Sequence, residues 1–338
     1  MDPTAAAPPH ERDRPRPLRW AALTKKQFDA IDRREAVVLV TCSPLEVHGP
    51  HLPLGADALE GEGLARHMLG FLPERHRRRS FLELPFVYAA TDTVPQPGSL
   101  WFRPATTVRV LEDLGRTLAA QGFRHVVVSN FHGGPRHFVA IEKACHRVHR
   151  RHGLRMVSIF SLLISRLTNG SSNLDDVLGA IPGVRRADLA GDTHGGLVET
   201  SQLLALHGDW VDPDYKELPR RTAEIWLAER GLAPQDGDGG RSGGLRGLWR
   251  MIRHQRLTAG YFLGDSYSGT PAAASAELGE RFLDTLGAHA ATAVTDLLDE
   301  RIGPDDCHSP LWPLRFVFLN PWMIRLTDRL IGLRVPIA

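Results

Sequence analysis

The chain has 338 residues, with 41 Lys+Arg against 39 Asp+Glu and a formal charge of +2. That balance excludes a strongly basic nucleic-acid binder and an acidic disordered chain. A content of 42% hydrophobic and 24% charged residues is ordinary for a globular protein. Three cysteines, Cys42, Cys145 and Cys307, are odd in number and far apart. They do not make a disulfide framework and point to a reducing, cytoplasmic compartment.

In chain order, residues 1–19 carry five prolines among Arg and Asp and read as a disordered leader without a signal-peptide run. Residues 36–42 and 125–130 are short, valine-rich apolar runs, the pattern of buried parallel strands. Weaker strand candidates lie at 82–88 and 155–160, with helical patterns at 58–70, 105–121 and 136–151 between them. An Ala/Leu/Glu pattern over 272–298 predicts a last core helix. Strands alternating with helices predict an α/β fold, one domain over 20–300 with a mainly parallel central sheet flanked by helices. Within it, 211–256 reads as a flexible insert, with a Gly/Asp/Ser loop at 234–245. Asp236 and Asp238 in that loop lack the companions a calcium loop needs. The tail, 301–338, is apolar and basic and carries Trp312 and Trp322. Its longest uncharged piece, 316–324, is interrupted by Pro321 and too short to span a bilayer. Packing on its own domain or on a neighbouring subunit is expected, with membrane-surface contact the lesser alternative.

Three polar strings carry candidate chemistry. The first runs from Ser43 to Asp57 directly after the first valine strand, at the carboxyl end where open α/β sheets hold ligands. Glu46 and His48 are two apart, so extended backbone points both to one side, where both can meet a metal. A Gly/Pro-rich turn can fold Asp57 back toward them; the plainer role for Asp57 is the N-cap of the next helix. Carboxylate with imidazole suits zinc, manganese or iron. The second string is Asn130-Phe-His132-Gly133-Gly134, again at a strand end. The third, Gly191 to Ser201, turns from glycines into an apolar helix with His194 just before it and Glu199 in its first turn. Its plain reading is a helix start capped by Thr193 or Asp192.

Together the three strings resemble the creatininase family of metal-dependent amidohydrolases. The matching motifs here are Glu46-x-His48-Gly-x-His51-Leu-Pro with Asp57, then Asn130-x-His132-Gly-Gly, then His194-Gly-Gly-x-x-Glu199-Thr-Ser. Weaker echoes are Gln96-Pro-Gly-Ser99 and the segment from Gly264-Asp265 to Gly279. The resemblance implies an α/β subunit with two divalent metal ions (Zn, Mn or Fe), assembled as a homo-oligomer, commonly a hexamer. It implies Glu46 and His132 on one metal, His48 on the other and Asp57 bridging, with Glu199 the best candidate to complete the second metal's ligand set. It also implies hydrolysis of a C–N amide bond of a small molecule, with His194 passing a proton to the leaving nitrogen. The alternative within the family is a peptidase that trims a ribosomally made precursor; a non-catalytic relative acting in assembly ranks lower. Creatinine-hydrolysing members carry Glu where this chain has Gly134, which puts creatinine itself in doubt as substrate.

Overall fold

The valine-rich runs pair in parallel at the centre of a five-stranded sheet. The computed structural model describes residues 14–168, 174–232 and 245–333. Its strands are β1 (Leu18–Arg19), β2 (Val37–Thr41), β3 (Phe81–Glu83), β4 (His125–Ser129) and β5 (Arg155–Ser158), in the order β1-β3-β2-β4-β5. Every pairing is parallel, and β2 meets β4 in a register from Val37↔His125 to Thr41↔Ser129. Both expected central strands are therefore present. The 82–88 run is strand only to Glu83, with an isolated bridge from Cys42 to Val87, and at 155–160 the strand ends at Ser158.

Helices fill the connections. A short α1 (Lys25–Asp29) starts on a capping box between Thr24 and Gln27. Between β2 and β3 run α2 (Ala56–Phe71) and the single turn α3 (Glu74–Arg77). Next come α4 (Pro104–Ala120) before β4 and α5 (Pro135–His152) before β5, each opening on proline, where the missing N–H costs nothing. Ile159 begins α6 (Ile159–Thr168), followed by α7 (Leu174–Gly179) and α8 (Arg186–Leu189). The remainder is α9 (Leu197–His207), α10 (Ala223–Glu229), α11 (Leu245–Gly264), α12 (Ala276–Leu298), α13 (Arg315–Leu319) and α14 (Pro321–Ile331).

The sheet is apolar on both faces because both are covered. Val37, Leu39, Val127 and Val157 pack with Leu64 and Met68 of α2 and Phe282 and Leu286 of α12. Their neighbours Val38, Val40, Val126 and Val128 pack with Leu111 of α4 and Ile141 and Val148 of α5. On the first face α9 and α12 approach so closely that a Cβ on Gly279 would stand 1.9 Å from the Ser201 carbonyl oxygen. From β2 the chain moves one way to β3, then returns past β2 to β4 and β5. The loops leaving β2 and β4 thus diverge at a topological switch point.

The ends of the chain depart from expectation. Residues 14–19, read as part of a leader, are built into the domain. Arg14 donates to Asp284 at 2.9 Å, β1 extends the sheet, and Trp20 packs its ring on Phe28 and Phe123. Ion pairing and ring burial hold what proline content suggested was loose; residues 1–13 lie outside the described residues. The 211–256 stretch, expected as a flexible insert, holds α10 and the first half of α11, while 233–244 lie outside the described residues. In the tail, α13 packs on α5 and α14 on α11. Arg136 donates to Asp328 at 2.5 Å and to Thr327 at 3.0 Å. Among the described residues, no helix is long and apolar enough to cross a membrane.

Candidate metal centre

The loop after β2 folds back on itself, Glu46 N–H donating to the Leu54 carbonyl at 2.8 Å. Gly49 supplies the positive φ (70°) that this turn requires. The fold-back sets Glu46 and His48 over the start of α2. One ring nitrogen of His48, Nδ1, donates to the Glu46 carbonyl at 3.0 Å, which leaves Nε2 facing inward. There Nε2 lies 3.4 Å from Asp57 Oδ1 and 3.8 Å from Glu199 Oε2. Asp57 is not the cap of its helix: Gly55 holds that position, and Asp57 sits in the first turn with its carboxylate buried.

The loop after β4 presents His132 in the same manner. Its Nε2 donates to the Thr91 carbonyl at 3.0 Å, and its Nδ1 lies 3.0 Å from Glu46 Oε2 and 3.6 Å from Asp57 Oδ2. Asn130 fixes the loop, accepting from His132 N–H at 3.1 Å and donating to the His132 carbonyl at 2.8 Å. Glu46 accepts a further hydrogen bond from Val94 N–H through its other oxygen.

Glu199 arrives on α9. The N-cap of that helix is Gly196, neither Thr193 nor Asp192, but the Asp192 carboxylate reaches back to accept from Leu197 N–H at 2.6 Å and Val198 N–H at 3.0 Å. Glu199 also accepts from Gly195 N–H. His194, just upstream, donates from Nε2 to the Val47 carbonyl at 2.8 Å, and its ring stacks on His48 at 4.1 Å.

The result is two triads that share one residue. Glu46, Asp57 and His132 have ligand atoms within 4.8 Å of one another, and so do His48, Asp57 and Glu199. His194 joins Glu46 and His48 in a third group of the same dimension, so it borders the centre rather than sitting at the shared carboxylate. Glu46 Oε2, His48 Nε2 and Asp57 Oδ2 are buried without a hydrogen-bond partner. Such atoms are costly to leave bare, and these are the three that a pair of cations would use. Carboxylate oxygens with imidazole nitrogens fit Zn, Mn or Fe, so the residues suit divalent metal ions.

Each of these groups feels the charge of the others. Burial works to lower both imidazole pKa values, yet the carboxylates overcome it. His48 is raised well above its ordinary value by Asp57, Glu199 and Glu46. His132 is raised to about 9, chiefly by Glu46. Burial works to raise Asp57, but His48 and His132 hold it low. Burial and the Asp57 charge push Glu199 up to about 7, against the pull of His48. His194 is pushed down to about 4 by burial and by the neighbouring His48, so its imidazole is neutral.

Three neighbours carry no motif. Glu60 lies one helical turn beyond Asp57, fully buried, with neither oxygen hydrogen-bonded. Burial, with Glu199 and Asp57 nearby, raises its pKa well above the usual carboxylate range. The available signal is its place three residues after Asp57, on the same face of the α2 helical pattern. Asp92 accepts from Arg136 N–H at 2.7 Å at the start of α5. Phe262, near the end of α11, sets its ring edge-on to His194 at 5.7 Å. Asp92 and Phe262 sit far along the chain from the three strings, so spacing carried no hint of them.

Gly134 is a tight position. A Cβ there would stand 2.4 Å from His132 Nε2 and 2.7 Å from Asp92 Cβ. With His132 and Asp92 as they are, no longer side chain fits.

The parallel α/β sheet thus gathers three carboxylates and two imidazoles at its switch point, a candidate centre for divalent metal ions. Residues 21–294 match the family model described as "Creatininase: Creatinine amidohydrolase", and the chain belongs to the creatininase family of metal-dependent amidohydrolases. Solved structures agree on the fold. A crystal structure of creatinine amidohydrolase aligns with TM-score 0.56 and 19% identity, over 85% of this chain and 98% of that one. A manganese form of creatininase gives TM-score 0.56 and 18% identity over 85% and 99% of the two chains. A mutant creatininase of zinc–zinc type gives 0.56 and 17% over 85% and 98%. Identities this low speak for the fold alone. Among curated proteins, none matches the chain by sequence.

Proposed function

We propose that the chain hydrolyses a C–N amide bond (linear amide, formamide or cyclic amide) of a small molecule, with two divalent ions in the centre. The two triads sharing Asp57 carry this reading: one carboxylate placed between two ligand sets is how a two-metal hydrolase spaces its ions. Glu46, His132 and Asp57 would hold one ion; His48, Asp57 and Glu199 the other. When bound, such ions supply Lewis acidity that lowers the pKa of water toward neutrality and polarises a carbonyl.

The remaining chemistry falls to the chain itself. His194 has committed Nε2 to the Val47 carbonyl, so Nδ1 is its proton-exchanging atom. A neutral imidazole accepts a proton from the attacking water and returns it to the leaving nitrogen, which departs poorly unless protonated. Water's oxygen joins the carbonyl carbon, the C–N bond breaks, and an acid and an amine result. His48 and His132 stay oriented by the Glu46 and Thr91 carbonyls, so neither rotates away. A related structure is a mutant creatininase complexed with creatine, which favours a small substrate. Gly134 stands where creatinine-hydrolysing members carry glutamate, and a Cβ there would collide with His132 and Asp92 as they are placed, which directs the search away from creatinine. Three free, buried cysteines accord with a reducing cytoplasm.

The test is the purified chain loaded with Zn, Mn or Fe, assayed on linear amides, formamides and cyclic amides. Turnover that rises with metal content to two ions per chain is expected. A protein that binds no stoichiometric metal, or binds two ions and turns over none of these classes, would end the proposal.

A further inference from the structure

The tail helices bury one side and leave the other bare. After Pro321 at its start, the exposed residues of α14 are Trp322, Arg325, Leu326 and Arg329, spaced i, i+3, i+4 and i+7, which is one face of a helix. Trp322 is 77% exposed, and Phe316 on α13 is 63% exposed with Leu314 and Arg315 exposed beside it. The opposite side of α14 holds Asp328, buried against Arg136. Packed next to α14, α11 leaves Arg253, Arg256 and Leu263 exposed. Across 245–264 and 308–333 the sequence has seven arginines and one acidic residue, Asp328, which is already neutralised. The chain as a whole carries only +2, so positive charge is concentrated here together with the bare aromatic rings.

We propose that this face seats on the surface of an anionic lipid bilayer, with α14 lying in the membrane plane. Trp322, Leu326 and Phe316 would enter the boundary between headgroups and acyl chains, and Arg315, Arg325 and Arg329 would meet lipid phosphates. The charge pattern argues against a second copy as the occupant. A two-fold contact places the same patch on both sides, so arginine would face arginine, and α11, α13 and α14 offer no exposed carboxylate to separate them. Spanning is excluded for the described helices by length and polarity. The inference is independent of the reaction at the metal centre.

Sedimentation of the full, metal-loaded chain with vesicles decides it. Phosphatidylcholine vesicles containing ~30% phosphatidylglycerol should carry the protein down, and phosphatidylcholine alone should bind it at least about tenfold more weakly. Added salt should weaken the binding. Arg325→Gln with Arg329→Gln should reduce partitioning by about 25-fold, about fivefold for each charge removed. Trp322→Glu should abolish it. All three positions are exposed, so unchanged circular dichroism and metal content are expected and verify the fold. Equal binding to both lipid compositions, or none to either, overturns the proposal. So does a lower oligomeric mass of the Trp322→Glu variant with vesicle binding intact, which would make the face a contact between copies.

Discussion

His132 turns Nδ1 toward Glu46, 3.0 Å away, because its Nε2 is already tied to the Thr91 carbonyl. One backbone acceptor thus chooses the tautomer that a metal needs. The same contact predicts a proton balance. Without metal, His132 is held to about 9: burial opposes the charge, and Glu46 overrides it. Its folded pKa therefore exceeds the unfolded value of about 6.5, so the stabilisation is complete below about pH 6.5 and is lost as pH rises through about 9. The metal-free protein should lose melting temperature over that window. Metal binding at neutral pH should release protons, measured by calorimetry in buffers of different ionisation heat. Binding heats that do not vary with the buffer would show that His132 is neutral beforehand.

Asp57→Asn should cost both ions. Asp57 is the one carboxylate in both triads, and an amide cannot take its place as an anionic bridge. Metal analysis should find fewer than one ion per chain, with turnover lost and the helix content of the protein retained. Two ions and near-normal turnover would reduce Asp57 to a residue of the first turn.

His194→Ala separates proton transfer from metal binding. Full metal content and a normal fold are expected, with turnover down roughly 10²–10⁴-fold. The loss should shrink for an activated anilide or ester, whose leaving group needs no proton. Because His194 also forms a triad with Glu46 and His48, metal content is the deciding readout. An ion lost with the side chain would make it a ligand.

Gly134→Ala should be destabilising by about 1–3 kcal/mol, the usual cost of overpacking. Its backbone has φ −59°, so the cost is steric and falls on His132 and Asp92. Weaker metal binding should accompany the lower melting temperature. An Ala variant with wild-type stability and metal affinity would show that His132 has room to move.

Asp192→Ala removes the acceptor for Leu197 and Val198 N–H, and no other side chain caps α9. A loss of about 0.5–2 kcal/mol is expected in denaturant unfolding. Glu199 stands two and one residues beyond those amides, so the affinity for the second ion should fall with it. Unchanged stability would mean the glycine turn holds the helix start unaided.

The local code of this protein is legible in its sequence. Valine runs at 36–42 and 125–130 specify strands buried on both faces, and the polar strings that follow them mark candidate ligands at strand ends. Proline, glycine and cap residues set the helix limits to within two residues for α2, α4 and α5, because these depend on local periodicity and terminal hydrogen bonds. Tertiary structure alone decided the rest. The register that pairs Thr41 with Ser129 brings the Glu46 and His132 loops side by side, and the packing of α9 brings Glu199 to His48 from some 150 positions away. Spacing along the chain cannot encode those distances. Nor does it show that Asp57 turns inward instead of capping α2, or that Glu60, Asp92 and Phe262 surround the centre. Each of these follows from which helix face the core buries, and that is settled only when the sheet and its covering helices close on one another.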